Sequence, residues 1–157
     1  MAGIDQVRLL LKELGPALEL GAIQELPGGN AWGLATRESL IVFLEYMPDD
    51  DRLWLSAEAG TPRAEDHAAL FPLMLQYNAQ WRQTGGVRLA LDAADGAVVL
   101  AYDVPVAGLD LPELCAVIRN FHDMLEGWST IVSGGGRAAT APASDDKRIA
   151  ASGGSRG

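Results

Sequence analysis

The spacing of apolar residues along the chain alternates between helical and strand-like patterns. Apolar residues fall on one helical face in residues 4–14, and the Gly15-Pro16 pair predicts the end of this first helix. A second helical stretch covers 63–83, where Pro72 predicts a kink or a restart because proline lacks the backbone donor. Strand-like runs fill much of the remainder, and their predicted bounds are 31–36, 39–47, 52–59, 87–92 and 97–104.

The last helix is the most clearly defined element in the sequence. Asp110 is placed to cap its first turn, Glu113 completes an Asp-x-x-Glu capping box, and Pro112 suits the first turn. A single apolar stripe then runs along the helix, which predicts one buried face. The stripe consists of Leu111, Leu114, Ile118, Phe121, Leu125 and Trp128.

The connections between the strands predict their arrangement. Asp49-Asp50-Asp51 separates two of the runs, and Asp95-Gly96 joins two others as a hairpin turn. Residues 17–30 show no periodic pattern, so we expect them to be irregular. The run 39–47 begins apolar on both faces, which is typical of a covered central strand. The sequence therefore predicts an α+β fold of order α-β-β-β-α-β-β-α, with three helices packed on a twisted antiparallel sheet.

The composition of the chain changes after residue 132. Residues 133–157 are rich in Gly, Ala and Ser and contain one large aliphatic residue and no aromatic. Such a segment cannot bury enough apolar surface to offset the entropy of ordering. We therefore predict a folded domain at 1–132 and a disordered tail at 133–157.

Charge and hydropathy narrow the classes of partner. The chain carries 12 basic and 21 acidic residues, a formal net charge of −9. This surface repels nucleic acid and anionic membranes, so neither is expected as a partner. No apolar run approaches the roughly 20 residues that span a membrane, and the N-terminal segment lacks the pattern of a signal peptide. We expect a cytoplasmic protein.

The residues that could support catalysis are few. Cys115 is the one cysteine, with no acid or base fixed beside it by sequence, so a buried hydrophobic role is favoured. Neither histidine, His67 or His122, stands in a helical His-x-x-x-His or Glu-x-x-His pair. Nucleotide-binding and hydrolase motifs are absent from the sequence. We expect no enzyme activity, no metal and no cofactor; a small hydrolase or transferase using Cys115 or His67 stays as an alternative.

Apolar residues exceed what one small domain is expected to bury. The helix at 63–83 is apolar around most of its circumference, which favours burial on two sides and hence a second subunit. Trp32 and Leu34 share one strand face, whereas Trp54 lies opposite Leu53 and Leu55 on its own strand. Exposed large aromatic residues are exceptional, so these aromatics either lie under the helices or line a binding groove, and Trp54 stays open between core and groove. A protein-binding role is therefore favoured over catalysis.

Several short stretches match, in order, those of a known family. The most characteristic are Leu-x-x-Asn at Leu75–Asn78 and the Leu-Asp-x-x-x-Gly hairpin at Leu91–Gly96. The others are Trp32–Leu34, Leu40–Tyr46, Arg52–Leu55, Val87–Asp92, Val98–Leu100 and Leu109-Asp110. Over residues 4–130 the chain resembles the class I chaperones of type III secretion systems, the Tir chaperone or CesT/SycE-like family. Its acidic, tailed form most resembles broad-specificity members from plant-associated bacteria, such as HpaB.

The resemblance implies an ATP-independent bacterial homodimer. Such proteins hold the N-terminal region of secreted effectors in extended form, through hydrophobic grooves and exposed strand edges, and deliver them to the type III secretion ATPase. The candidate client-binding residues are Trp32, Leu34, Leu44 and Trp54. The candidate dimer residues are Leu73, Tyr77, Trp81 and Leu89. A non-catalytic interaction or adaptor domain of another pathway stays as the alternative function.

Overall fold

In the part of the chain that the structure describes, three helices pack on one face of a six-stranded antiparallel sheet. The computed structural model describes residues 2–18 and 22–136. The helices are α1 (Ala2–Leu18), α2 (His67–Ala79) and α3 (Leu111–Ser133), and a 3₁₀ turn at Ala64–Asp66 precedes α2. The strands are β1 (Ile23–Glu25), β2 (Ala31–Ala35), β3 (Ile41–Met47), β4 (Arg52–Gly60), β5 (Arg88–Leu91) and β6 (Val98–Pro105). Their order across the sheet is β1-β2-β3-β4-β6-β5. The predicted α+β class is confirmed.

The strand register places one continuous apolar layer beneath the helices. In β3 and β4 the cross-strand pairs Val42–Ala57, Leu44–Leu55 and Tyr46–Leu53 all lie on the covered face. Since successive residues of a strand point to opposite faces, the residues between them lie on the other face. The sheet therefore has a covered face, which contacts the helices, and an opposite face, which we call the open face.

Helix α3 follows its sequence pattern closely. The side chain of Asp110 accepts a hydrogen bond from the backbone N–H of Glu113 at 2.8 Å, as the capping box predicts. Most of the predicted stripe is buried, and its buried members are Leu114, Ile118, Phe121, Leu125 and Trp128. This helix supplies much of the core over β4.

Helix α3 ends in a glycine cap formed by Gly135 and Gly136. The N–H groups of Gly135 and Gly136 bond back to the carbonyls of Val132 and Ile131, a Schellman arrangement. Gly135 has φ of 65°, and a Cβ there would collide with the carboxylate of Asp66. Both glycines are buried. Of the predicted tail 133–157, residues 133–136 thus belong to α3 and its cap, and 137–157 lie outside the described residues.

Three local expectations are wrong. Helix α1 continues through Gly15-Pro16 to Leu18, because Pro16 removes only one bond in the last turn while Leu14 is fully buried. Residues 17–30 include β1, a strand of three residues that is too short to show periodicity. Helix α2 does not restart at Pro72 but runs through it, with buried Leu70 and Met74 on either side, and the change of helix type falls at Asp66–His67; a kink at Pro72 stays a prediction.

Candidate functional site

The open face of the sheet carries an accessible apolar patch. Ile41 and Phe43 point from β3 to this face and are 49% and 44% exposed. The expectation that 39–47 is covered is therefore wrong for one face, although β3 is an interior strand of the sheet. Large apolar side chains with this exposure on a regular sheet face are typical of a binding surface.

A groove crosses this patch beside β1. It has a volume of about 240 Å³ and is lined by Ala22, Gln24, Leu26, Gly33, Ala35, Ile41 and Phe43. Gly33 pairs with Phe43 and forms part of the floor. A Cβ added at Gly33 would meet no atom within 4 Å, so the missing side chain leaves open space above the strand. The groove is open enough to receive side chains from an extended peptide.

The other half of the open face is polar and held by ion pairs. Asp103 on β6 bonds to both Arg52 and Arg88, and the Arg88 guanidinium lies 5.4 Å from the centre of the Trp54 ring. Burial raises the pKa of Asp103, but hydrogen bonds from Arg88 and Arg52 outweigh this and hold it below its ordinary value. Trp54 is thus half-buried and fixed next to the apolar patch.

A second cleft lies on the other side of β1, against helix α1. It has a volume of about 610 Å³, and its lining includes Arg8, Leu11, Lys12, Ile23, Glu25 and Trp32. Arg8 spans the cleft, donating from Nη2 to the Gly29 carbonyl at 2.8 Å and pairing with Glu25 at 3.4 Å. Strand β1 therefore runs between a cleft on the covered side and a groove on the open side.

The two edges of the sheet differ in their accessibility. At the β1 edge, Ala22 and Leu26 bond to β2, so the backbone groups of Ile23 and Glu25 point outward. At the β5 edge, the amide of Asn78 donates to the Leu89 carbonyl at 2.9 Å and accepts from the Leu89 N–H at 2.8 Å. Asn78 thereby occupies the outer hydrogen-bonding positions of Leu89 in β5. Strand addition is obstructed at Leu89, whereas within residues 2–18 and 22–136 no hydrogen-bond partner occupies the outward backbone groups of β1.

Helix α2 and β5 form a second apolar surface at the far edge of the sheet. Trp81, in the turn that follows α2, is 58% exposed, and on the two elements themselves Leu75 is 70% and Leu91 43% exposed. Beside them lies a pocket of about 340 Å³, lined by Phe71, Met74, Leu75, Asn78, Leu89, Ala90 and Leu91. Such a surface on one small domain favours a protein partner.

The predicted client-binding residues do not share one surface. Trp32, Leu34 and Leu44 are at most 4% exposed and belong to the core beneath the helices, whereas Trp54 points to the open face. Trp32, Leu34 and Trp54 therefore do not line one groove, because Trp32 and Leu44 pair on the covered face whereas Trp54 pairs with Glu45 on the open face. Sequence reasoning missed Ile41 and Phe43. The available signal was that the run is apolar on both strand faces, and these two residues share the face opposite Val42 and Leu44.

The predicted dimer residues are divided between surface and core. Trp81 is exposed, while Leu89 is buried. Leu73 and Tyr77 pack partly against the core, and the Tyr77 ring meets Trp128 edge-on at 5.2 Å between centroids. Burial raises the pKa of Tyr77, which stays a neutral hydrogen-bonding group. The residues that sequence reasoning missed at this surface are Leu75 and Leu91.

The residues considered for catalysis occupy structural positions. Cys115 is buried in α3, as a small hydrophobic residue would be. The ring of His67 stacks on Phe71 with 4.5 Å between centroids.

Within 2–18 and 22–136, no helix is long and apolar enough to cross a membrane.

Comparison with known proteins identifies relatives of the chain. The model of the Tir chaperone protein (CesT) family matches residues 9–129. The sequence comparison with curated proteins gives no match.

Three solved structures illustrate how widely the fold is shared. The ExsC–ExsE complex contains a chain with 22% identity and a TM-score of 0.69, covering 82% of this chain and 95% of that one. The HopA1–SchA chaperone–effector complex gives 16% identity and a TM-score of 0.68, with coverage of 83% and 98%. YbjN from E. coli has 18% sequence identity to this chain and a TM-score of 0.56, and the match covers 87% of this chain and 93% of YbjN. At these identities the likeness establishes the fold.

Proposed function

This chain belongs to the Tir chaperone protein (CesT) family, and on that premise we propose that it binds the N-terminal region of type III secretion effectors in extended form. The family membership confirms the resemblance drawn from the sequence. The observation that supports the proposal best is strand β1, an exposed edge with an apolar groove on one side and a cleft on the other. Bound clients are kept soluble and competent for secretion, and no step of this function needs a cofactor.

Strand addition at β1 would explain how unrelated clients are accepted. A peptide strand paired with the outward backbone groups of Ile23 and Glu25 gains hydrogen bonds that do not depend on its sequence. Its side chains alternate between the two faces, so apolar ones reach the groove at Phe43 and others the α1 cleft. Asn78 at the opposite edge directs this addition to β1. A preference for clients of many kinds, as in HpaB-like members, stays a prediction.

We further propose that α2 and β5 form the interface of a homodimer. The exposed side chains of Leu75 and Leu91 supply an apolar surface there, and Trp81 is exposed in the turn that follows α2. Since β1 and β5 are opposite edges of one sheet, two chains joined through β5 and α2 would each keep a free β1 edge. The dimer would then offer two separate client sites.

The charge of the chain suits this role in the bacterial cytoplasm. A formal charge of −9 opposes self-association of a protein with exposed apolar patches. Delivery of the client to the secretion ATPase completes the proposed function. An adaptor domain of another pathway is the alternative, and it predicts partners that are not secreted effectors.

The test measures binding of effector N-terminal segments to variants of the open face. Phe43→Ala and Ile41→Ala should each weaken binding by about 2 kcal/mol, roughly 30-fold, if they act as apolar anchors. Leu9→Ala is the matched control, because Leu9 is 60% exposed but lies on α1, away from the open face. Equal affinity in all three variants would contradict the proposed site.

A further inference from the structure

A cluster of one imidazole and two carboxylates joins α3 to the turn between β2 and β3. His122 and Glu126 lie one helical turn apart on α3, and Glu38 reaches them from the turn, 84 residues away from His122 in sequence. His122 Nε2 is 3.1 Å from Glu38 Oε2, and His122 Nδ1 is 3.9 Å from Glu126 Oε2. One ligand atom from each residue lies within 4.8 Å of the others.

The composition of the cluster suits a transition-metal ion. Imidazole nitrogen and carboxylate oxygen are ligands of Zn²⁺, at about 2.0–2.2 Å from the ion. Two ligands at such distances in a tetrahedral site are separated by about 3.3 Å, close to the spacing of His122 Nε2 and Glu38 Oε2. His122 and Glu126 stand at i and i+4, so they project from the same face of α3. The Glu126 carboxylate lies at Nδ1, the other ring nitrogen, so it would have to move toward Nε2 to complete the set with Glu38.

Charge and access agree with this chemistry. A third carboxylate, Asp123 Oδ1, lies 3.9 Å from His122 Nδ1, so three acidic groups surround one imidazole. A divalent cation would relieve their mutual repulsion. Glu38 and Glu126 both line a pocket of about 200 Å³ together with Leu40, Ser129 and Thr130. The pocket leaves room for water to complete the coordination of an ion with three protein ligands.

We propose that Glu38, His122 and Glu126 bind a divalent transition-metal ion, with zinc as the best fit. The sequence alone predicts no metal, because the ligand that completes the set comes from a distant turn. The bound ion ties α3 to the turn that leads directly into Ile41 of the open face. It thereby stabilises the apolar groove from the opposite side of the sheet, independently of whether the groove receives effectors.

The test uses the full-length, tag-free chain and ZnCl₂, with MgCl₂ as the comparison salt. Calorimetric titration should show one Zn²⁺ per chain, and zinc should raise the melting temperature reversibly with EDTA. Magnesium should do neither, since an imidazole-containing site prefers zinc. Addition of CoCl₂ should produce the visible absorption of a coordinated Co²⁺ ion.

Three variants separate this site from adventitious binding. Loss of an outer-sphere partner alone weakens metal binding about 10- to 100-fold, so His122→Asn and Glu126→Gln should each weaken zinc binding at least about tenfold. Glu45→Gln, which removes an exposed carboxylate on the open face of the sheet, away from the set, should bind zinc as the parent does. Circular dichroism checks that each variant is folded, and Glu126 is 45% exposed, so Glu126→Gln should fold normally. Zinc binding unchanged in Glu126→Gln, or absent from the parent chain, would overturn the proposal.

Discussion

Replacing Gly33 by valine should raise stability and weaken client binding at once. Glycine in a strand interior costs about 0.5–1 kcal/mol relative to alanine, and β-branched residues are favoured in strands on a scale of about 1 kcal/mol. Because a Cβ at Gly33 meets no atom within 4 Å, no collision opposes this gain. We expect Gly33→Val to stabilise the fold by about 1 kcal/mol, which raises the melting temperature by roughly 4 °C.

The same side chain fills the floor of the proposed client groove. Inserting methyl groups into a packed contact costs about 1–3 kcal/mol, so effector binding should weaken about 5- to 150-fold. Urea unfolding measures the stability, and titration with an effector N-terminal segment measures the affinity. Opposite signs of the two changes distinguish a blocked groove from a damaged fold.

A glycine on a helix surface provides the control. Gly127 lies in α3, and a Cβ there also meets no atom within 4 Å. Gly127→Ala should stabilise the protein by up to about 1 kcal/mol with no change in client affinity. If Gly33→Val is more stable than the parent chain and binds the effector segment equally well, the groove is not the client site.

Three further predictions test other parts of the structure. Leu75→Glu should place a charge in the proposed dimer surface, so light scattering should give the monomer mass of 16.6 kDa for this variant and twice the mass for the parent chain; a parent chain that is monomeric would contradict the dimer. Gly135→Ala combines a positive φ with a collision against Asp66, so it should lower the free energy of unfolding in urea by about 2–4 kcal/mol. Gly134→Ala is the control: its nearest Cβ contact is 3.4 Å, so the loss should be under about 1 kcal/mol. Equal losses in the two variants would refute the packing of the cap. The pKa of Asp103 is lowered in the folded state, so its ion pairs stabilise the protein above the unfolded-state pKa of about 3.9, and this stability is lost as pH falls through the folded-state pKa. Below about pH 4, the urea midpoint of unfolding should therefore fall less steeply with pH in Asp103→Asn than in the parent chain. Parallel plots of midpoint against pH for the two proteins would refute this.

Local patterns determined most of the secondary structure. The capping residues at Asp110 and Glu113 and the stripe ending at Trp128 fix α3, since both signals act within a few turns of one helix. The alternation in the strand runs fixes five of the six strands. The sixth, Ile23–Glu25, forms only because β2 is present to pair with it, and three residues leave no periodic signal. Neither Pro16 nor Pro72 ends its helix, because tertiary packing outweighs the loss of a single backbone bond.

The two faces of the sheet were decided by tertiary structure. The sequence shows that Trp32 and Leu34 share one strand face and that Trp54 and its neighbour Leu53 point to different faces. It does not show which of these faces the helices cover. Strand pairing settles this: the register places Leu44 opposite Leu55 in the core and leaves Phe43 opposite Ser56 on the open side. The convergence of Glu38 on His122 and the capping of Leu89 by Asn78 are likewise contacts between distant segments. Periodicity reports which residues lie together on one element, whereas only the packing of elements determines what each surface meets.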